Sequence, residues 1–95
     1  MVLHVNRASY AGGYKIEVTF SDGRTGVADL AGALTGPVFT ELVDTAEFAR
    51  FGVDEELRTV VWSSGADVAP EYLYFLAFKD QSDLQPLFKQ WGYLV

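Results

Sequence analysis

The sequence predicts a small α+β domain, in which a mostly antiparallel sheet of four to five strands carries helices on one face. Apolar and polar residues alternate along the first third of the chain, which is typical of half-buried strands. Apolar residues recur at helical spacing after prolines in the middle and at the end. With 95 residues, 49% of them hydrophobic and 21% charged, the chain predicts one globular domain (residues 1–95) with one core.

Two strands and a tight turn are predicted before residue 30. A first strand follows from the alternation around Leu3 and Val5. A second strand places four apolar side chains on one face: Tyr14, Ile16, Val18 and Phe20. Asp22-Gly23 favours a two-residue type I′ turn, because both central positions of that turn require positive φ. The resulting register pairs Phe20 with Thr25 and Val18 with Val27, so a valine pair is expected on the core face.

The middle of the chain predicts a helix and a second hairpin. Pro37 suits the first position of a helix. The apolar side of that helix would hold Val38, Phe39, Leu42 and Val43. Asp44-Thr45 is expected to end or re-cap it. Strands are predicted around Phe51 and Val53 and over residues 58–62, joined by an acidic turn at Asp54-Glu55-Glu56 that we interpret as solubilising rather than as a cation site.

The last quarter carries more apolar surface than one sheet can hide. In the helix predicted from Pro70 onward, apolar residues occupy nearly the whole circumference, and soluble monomers rarely expose such a surface. The terminal segment, residues 80–95, adds an amphipathic stripe that could cover it: Leu84, Leu87, Phe88 and Trp91. Burying those four side chains would contribute roughly 6–12 kcal/mol before entropy costs. The cover could come from the same chain or from a second molecule.

We therefore predict a partner-binding surface on these two helices. Its expected residues are Tyr74, Phe78, Leu84, Leu87, Phe88 and Trp91. The partner would be a basic protein or a second copy of this chain, because aromatic anchors combined with complementary charge are typical of specific interfaces.

A loop cluster of Trp62, Asp67 and Glu71 has two interpretations. In the structural one, Trp62 packs in the core, Asp67 caps the helix that follows, and Glu71 favours the helix N-terminus. In the functional one, the loop presents these side chains to a partner, or a ligand pocket lies between the sheet and Trp62. Both interpretations remain open at this point.

Composition excludes several classes of function. Thirteen acidic and seven basic residues give a net charge of −6, which opposes direct binding to nucleic acid. Without cysteine there is no disulfide or thiolate chemistry. The sole histidine, His4, and the turn residues Ser63-Ser64 show no arrangement for catalysis or metal binding. We therefore expect neither an enzyme nor a cofactor or metal. No signal peptide or membrane-spanning run is evident, so a cytoplasmic location is expected.

Several short motifs together resemble a known family. They are Gly13-Tyr14-Lys15-Ile16, Phe20-Ser21-Asp22-Gly23-Arg24, Gly36-Pro37-Val38-Phe39, and Trp62 followed by Gly65-Ala66-Asp67 and Ala69-Pro70-Glu71-Tyr72. This series resembles the bacterial family named domain of unknown function 2442. The resemblance covers residues 2–76 and departs from the family pattern at Ser63, where proline is expected. Residues 80–95 would be an extension of that core.

The resemblance implies a small cytoplasmic α+β domain with no established activity. Relatives occur alone or ahead of a helix-turn-helix segment. They are often encoded beside another small family, domain of unknown function 4160, in an arrangement that suggests a toxin–antitoxin-like pair. The sequence thus favours a non-enzymatic protein-interaction module. More specifically, the protein could be one of the two members of such a toxin–antitoxin-like pair. The alternative is an accessory or regulatory domain that binds a small molecule or an ion.

Overall fold

The computed structural model describes residues 2–34 and 36–94 and, at Pro37 and Val38, the backbone alone. A three-stranded antiparallel sheet comprises β1 (Val5–Tyr10), β2 (Lys15–Phe20) and β3 (Thr25–Asp29), in that order across the sheet. A two-stranded sheet comprises β4 (Gly52–Asp54) and β5 (Thr59–Val61). The α-helices are α1 (Thr45–Phe48), α2 (Pro70–Phe78) and α3 (Gln85–Gln90), and 3-10 helices cover Pro37–Val43 and Ser82–Leu84. None of the helices in the described ranges is long and apolar enough to cross a membrane.

The α+β class is confirmed, but the expected single sheet of four to five strands is instead two sheets. The backbone N–H of Val5 donates to the carbonyl of Arg58 over 2.9 Å, just before β5 begins. The β1 ladder is irregular between Val5 and Arg7, where a bulge shifts its register against β2. A bulge disrupts the ladder of the strand that contains it. β1 remains close to β4 and β5, but the described strands pair as two separate sheets.

The turn between β2 and β3 differs from the predicted type I′ turn. Asp22 has negative φ, whereas Gly23 has a φ of 88°. The Gly23 N–H donates to the carbonyl of Phe20 (3.0 Å), and the Phe20 N–H donates to the carbonyl of Arg24 (2.9 Å). This is a glycine-bulge hairpin with a longer loop, in which one positive-φ residue is enough.

The longer loop moves the hairpin register by one residue. Thr19 pairs with Thr25, and Val18 pairs with Gly26. A one-residue slip sends a side chain to the opposite face of the sheet. Val27 consequently lies on the outer face with 43% of its surface exposed, and the predicted valine pair on the core face is wrong. Of the four residues predicted on the core face of the second strand, Ile16, Val18 and Phe20 are fully buried. The fourth, Tyr14, precedes β2 and is half-buried.

Gly26 provides the space that α2 needs to approach β3. A Cβ atom at Gly26 would lie 2.6 Å from Cε1 of Phe78 and 3.3 Å from Cβ of Ala77. The Phe78 ring fills this space and packs 5.8 Å, between ring centroids, from Phe20. α2 extends over Pro70–Phe78 as the sequence predicts, and it buries Leu73 and Tyr74 together with Phe78.

In the middle of the chain, the predicted apolar face of the helix that begins at Pro37 is partly wrong. Pro37–Val43 forms a 3-10 helix in which Leu42 is buried and Phe39 half-buried, whereas Val43 is 59% exposed. At three residues per turn, positions 39 and 42 share a face and position 43 turns away from it. The side chain of Val38 lies outside the described residues. Asp44 does re-cap, since its Oδ1 accepts a hydrogen bond from the Ala46 N–H at the start of α1.

The hydroxyl of Tyr74 ties α2 to the β2–β3 turn. It donates a hydrogen bond of 2.7 Å to Oδ2 of Asp22. Burial, the hydrogen bond to Asp22 and the negative charge of that carboxylate together raise the pKa of Tyr74 to about 12. The neutral phenol is therefore the form that the folded state stabilises.

Replacing Gly26 should separate α2 from β3. We expect Gly26→Ala to lower the free energy of unfolding by about 1–3 kcal/mol, because the added methyl group overlaps the Phe78 ring. Gly52→Ala is the matched control, since nothing lies within 4 Å of a Cβ atom there. Urea denaturation of both variants measures the difference. Equal stabilities would contradict the close approach of α2.

Tyr74→Phe should change stability in a pH-dependent way. The pKa of Tyr74 is about 12 in the folded protein and about 10 in an unfolded chain. The stabilisation is thus complete below about pH 10 and is lost as the pH rises towards 12. We expect Tyr74→Phe to lower the free energy of unfolding by about 1–2 kcal/mol at neutral pH. Between pH 10 and 12 the free energy of unfolding should fall less steeply in this variant than in the wild type, as measured by urea denaturation at several pH values. Tyr10→Phe, at an exposed position, should keep the wild-type slope, and an unchanged slope in Tyr74→Phe would contradict the assignment.

Candidate functional site

The tail, residues 80–94, packs against α2 of its own chain. Phe88 is fully buried and Leu84 is 8% exposed. The Phe88 ring lies 5.2 Å from the ring of Phe75 and 6.3 Å from that of Tyr74. Part of the cover that α2 requires is therefore supplied within the chain, and further cover by a second molecule stays a prediction.

This packing limits which predicted partner-binding residues a partner can reach. Four of the six have almost no exposed surface: Tyr74, Phe78, Leu84 and Phe88. Leu87 and Trp91 are half-buried. Contact with a partner stays a prediction, and within this set the accessible surface belongs to Leu87 and Trp91.

A cluster of four half-buried aromatic rings lies where α2 meets the tail. We call it the aromatic face, and its members are Tyr72, Phe75, Trp91 and Tyr93. Tyr93 is central, because its ring centroid lies 5.5 Å from that of Tyr72, 5.1 Å from that of Phe75 and 6.3 Å from that of Trp91. Tyrosine and tryptophan rings in such a position offer large contact areas with few rotatable bonds.

The sequence reasoning missed Tyr93 because it lies beyond the helical repeat of α3. Gly92 has a φ of 86°, and its N–H donates to the carbonyl of Lys89. The Tyr93 N–H donates to the carbonyl of Phe88 over 3.0 Å. This is a Schellman motif, which reverses the chain after a helix and brings the following residue back onto it. Gly92 directly after an apolar helical repeat was the signal that could have predicted this return.

An open apolar cavity of about 230 Å³ adjoins the aromatic face. We call it the Tyr72 pocket, since Tyr72 belongs to both features. Its walls come from the segment after β3, the 3-10 helix that follows, and the residues that precede and begin α2: Leu30, Ala33, Leu34, Phe39, Asp67, Val68, Ala69 and Tyr72. No local sequence pattern indicates this pocket, because its walls come from two distant parts of the chain, residues 30–39 and residues 67–72.

Negative charge lies beside both features. Asp67 lines the pocket and is exposed to solvent. Glu71 directly precedes Tyr72 of the aromatic face in α2. Burial raises the pKa of the Tyr93 hydroxyl, and the carboxylate of Glu71 raises it further. Ion pairs in the described part of the chain use Arg24 and Arg50 as their cations, and neither pairs with Asp67 or Glu71.

Trp62 follows the structural interpretation. It is 5% exposed, its Nε1–H donates to the carbonyl of Phe48 over 2.8 Å, and its ring packs against Phe48 and Phe51 at 5.7 and 6.3 Å. The cavity beside Trp62 measures about 10 Å³, which is near the minimum for one water molecule. The predicted ligand pocket next to Trp62 is therefore wrong.

The predicted capping role of Asp67 is also wrong. Ala69 occupies the N-cap position of α2, without a side-chain cap. Pro70 has no N–H to satisfy, and the amides of Tyr72 and Leu73 both donate to the carbonyl of Ala69. The backbone of Asp67 instead forms an isolated bridge with Val61 in β5. The carboxylate of Asp67 is thus not used by the helix.

The three predicted loop residues therefore do not form one site. Trp62 packs in the core, Asp67 lines the Tyr72 pocket, and Glu71 is half-buried in the first turn of α2, as the structural interpretation expected. In the acidic turn, Oδ1 of Asp54 accepts hydrogen bonds from the amides of Glu56 and Leu57. Within residues 2–34 and 36–94, no three side chains of the metal-ligating types are grouped to hold an ion.

Comparison with solved structures shows a similar fold in a larger protein. The crystal structure of a candidate DNA-binding protein, NE0471 from Nitrosomonas europaea ATCC 19718, superimposes with a TM-score of 0.74 at 17% sequence identity. The match covers 99% of this chain and 63% of the other, so this chain spans less than two thirds of that protein. At such low identity the likeness concerns the fold. Among curated proteins, no relative matches this chain.

The comparison with protein families confirms the resemblance seen in the motifs. The family described as "Protein of unknown function (DUF2442)" matches residues 5–79. This range contains both sheets and all of α2, whereas the tail lies beyond it. By this match over most of its length, the chain belongs to the DUF2442 family.

Proposed function

We propose that this protein is a non-enzymatic interaction module that binds a basic protein through the aromatic face, which adjoins the Tyr72 pocket. The observation that carries the proposal is the aromatic face itself, in which Tyr93 contacts three other half-exposed rings. Tyrosine and tryptophan are enriched among the residues that dominate binding energy at interfaces. A surface of this kind, next to an open apolar cavity, is typical of a docking site.

Charge favours a basic partner over a second copy of the chain. The protein has a net charge of −6, and Asp67 and Glu71 place carboxylates at the edges of the docking surface. Two copies meeting through this surface would bring like charges together, which costs binding energy, whereas a basic protein is attracted and steered. We therefore expect a complex of two different proteins.

The family resemblance supports a specific form of this function. In that form the chain is the acidic member of a toxin–antitoxin-like pair encoded by neighbouring genes, and it acts in the bacterial cytoplasm by covering a basic surface of its partner. The tail adds Trp91 and Tyr93 to the family core, since it lies outside the matched residues. Recognition of the partner would then depend on residues that the chain adds to the family fold.

The name of the structural neighbour makes direct DNA binding the competing candidate. Binding to phosphates needs a concentration of basic side chains. This chain has seven basic residues against thirteen acidic ones, and two of its arginines form ion pairs with carboxylates of the same chain. We therefore place any connection with DNA in a partner or in an additional domain.

The chemistry of the Tyr72 pocket supports the non-enzymatic part of the proposal. Its described lining contains two ionisable groups, the Asp67 carboxylate and the Tyr72 phenol, among apolar walls. General acid–base catalysis needs a group whose proton transfer is positioned by a second polar group. Apolar walls with one carboxylate fit recognition better than reaction.

Loss of the exposed rings should weaken the complex. The tagged full chain is purified from its host with the product of the neighbouring gene, and the affinity of the two purified proteins is measured by calorimetry. We expect Trp91→Ser combined with Tyr93→Ser to raise the Kd by about tenfold or more, because two aromatic contacts are removed outside the Tyr72 pocket. We also expect the wild-type Kd to rise between 0.05 and 0.5 M salt.

Leu57→Ser is the control, since Leu57 is an exposed apolar residue in the β4–β5 turn, and it should leave the Kd within twofold. Circular dichroism confirms that each variant is folded. The proposal fails if the double variant binds as tightly as the control. It also fails if the affinity is independent of salt or if the neighbouring gene product does not bind.

A further inference from the structure

We propose that the Tyr72 pocket receives one apolar side chain of the basic partner, aromatic or long aliphatic, beside a lysine or arginine that pairs with Asp67. This inference rests on the proposed function and identifies the sequence feature that the partner must carry. It assigns anchoring to the pocket and selection by charge to Asp67.

The size of the pocket decides between a side chain and a free metabolite. Its volume is about 230 Å³. A cavity of about 150 Å³ holds benzene, whereas sites for drug-sized ligands measure about 300–1,000 Å³. The Tyr72 pocket therefore fits a single ring or a branched aliphatic group and is small for a complete cofactor or nucleotide.

The walls of the pocket are formed before binding. Leu30 and Val68 are buried members of the core, at 1% and 7% exposure. The segment after β3 is held by hydrogen bonds from the Leu30 N–H to the carbonyl of Tyr14 (2.8 Å) and from the Ala33 N–H to the carbonyl of Leu30 (3.0 Å). Because the cavity is preformed, binding does not have to order its walls. Most of the free energy from burying the partner's side chain therefore contributes to affinity.

Asp67 gives the pocket its charge preference. Its carboxylate is exposed, is not used to cap α2, and has no cationic partner among the described side chains. The bridge between Asp67 and Val61 fixes its backbone beside the pocket. An anchor flanked by cations is thereby favoured, and one flanked by carboxylates is repelled.

The test separates the anchor from the charge with three short peptides. They are acetyl-Lys-Trp-Lys-amide, acetyl-Lys-Ala-Lys-amide, which lacks the anchor, and acetyl-Glu-Trp-Glu-amide, which reverses the charge. Each is titrated into the ¹⁵N-labelled full chain, and amide shifts are followed by NMR. We expect the first peptide to shift the amides around Leu30, Ala33 and Val68 and to bind at least about fivefold more tightly than either of the others.

Two variants connect the binding with the pocket. Asp67→Asn should weaken the first peptide by about two- to fivefold, the effect of an exposed ion pair. Asp80→Asn is the matched control: Asp80 is an exposed residue of the tail, so this variant changes the net charge equally and should leave the affinity unchanged. Ala33→Trp should fill the pocket and remove the shifts, while its amide spectrum shows that the fold is kept.

Several results would overturn the inference. The inference fails if the acidic peptide binds as tightly as the basic one, if the shifted amides lie away from the pocket, or if Asp67→Asn and Asp80→Asn weaken binding equally. It also fails if the protein sediments as a dimer and Ala33→Trp abolishes that dimer, because a second copy would then be the occupant. If the peptides fail while the aromatic-face variants still weaken the purified complex, the inference is wrong and the proposed function stands. If the peptides bind in the pocket while those variants leave the complex intact, the proposed function is wrong.

Discussion

The structure depends on the need to cover α2 on opposite sides. Leu73, Tyr74 and Phe78 are buried, and Phe75 and the remaining apolar residues of the helix are half-buried. One side reaches β3 because Gly26 leaves room for the Phe78 ring. The other side is covered by Phe88 of the tail. Neither surface alone could bury a helix that is apolar around its circumference, so α2 joins the sheet and the tail into one core.

The cover on the tail side is incomplete, and the partly exposed rings of the aromatic face are a consequence. α3 has six residues, fewer than the nine of α2. The Schellman motif at Gly92 brings Tyr93 back towards α2, but Tyr72, Phe75 and Tyr93 keep part of their surface exposed. Complete burial would have required a longer helix. The rings that we propose to contact a partner are those of the aromatic face, which the tail contacts but leaves partly exposed.

The sequence predicts most elements of this fold but few of their relations. The alternation in β2, the proline start of α2 and the amphipathic tail are local patterns, and the structure contains all three. The register of β3 depends on whether one or two residues of the turn have positive φ. The residue pair Asp22-Gly23 is compatible with either turn, so the sequence does not determine the register. The division of the strands into two sheets and the meeting of residues 30–39 with residues 67–72 at the Tyr72 pocket involve parts of the chain that are distant in sequence. Such relations arise from tertiary packing, which local propensity does not encode.

Asp67 shows how a failed structural prediction bears on function. Asp67 lies three residues before Pro70, where α2 begins, and in its predicted capping role backbone amides would occupy a carboxylate oxygen. Here the carbonyl of Ala69 accepts from the amides of Tyr72 and Leu73, and Pro70 has no N–H. The helix therefore begins without the carboxylate of Asp67. A charged group that the fold does not use, fixed beside an apolar cavity, is available for recognition, and for this reason we assign selectivity to Asp67 rather than to the buried Trp62.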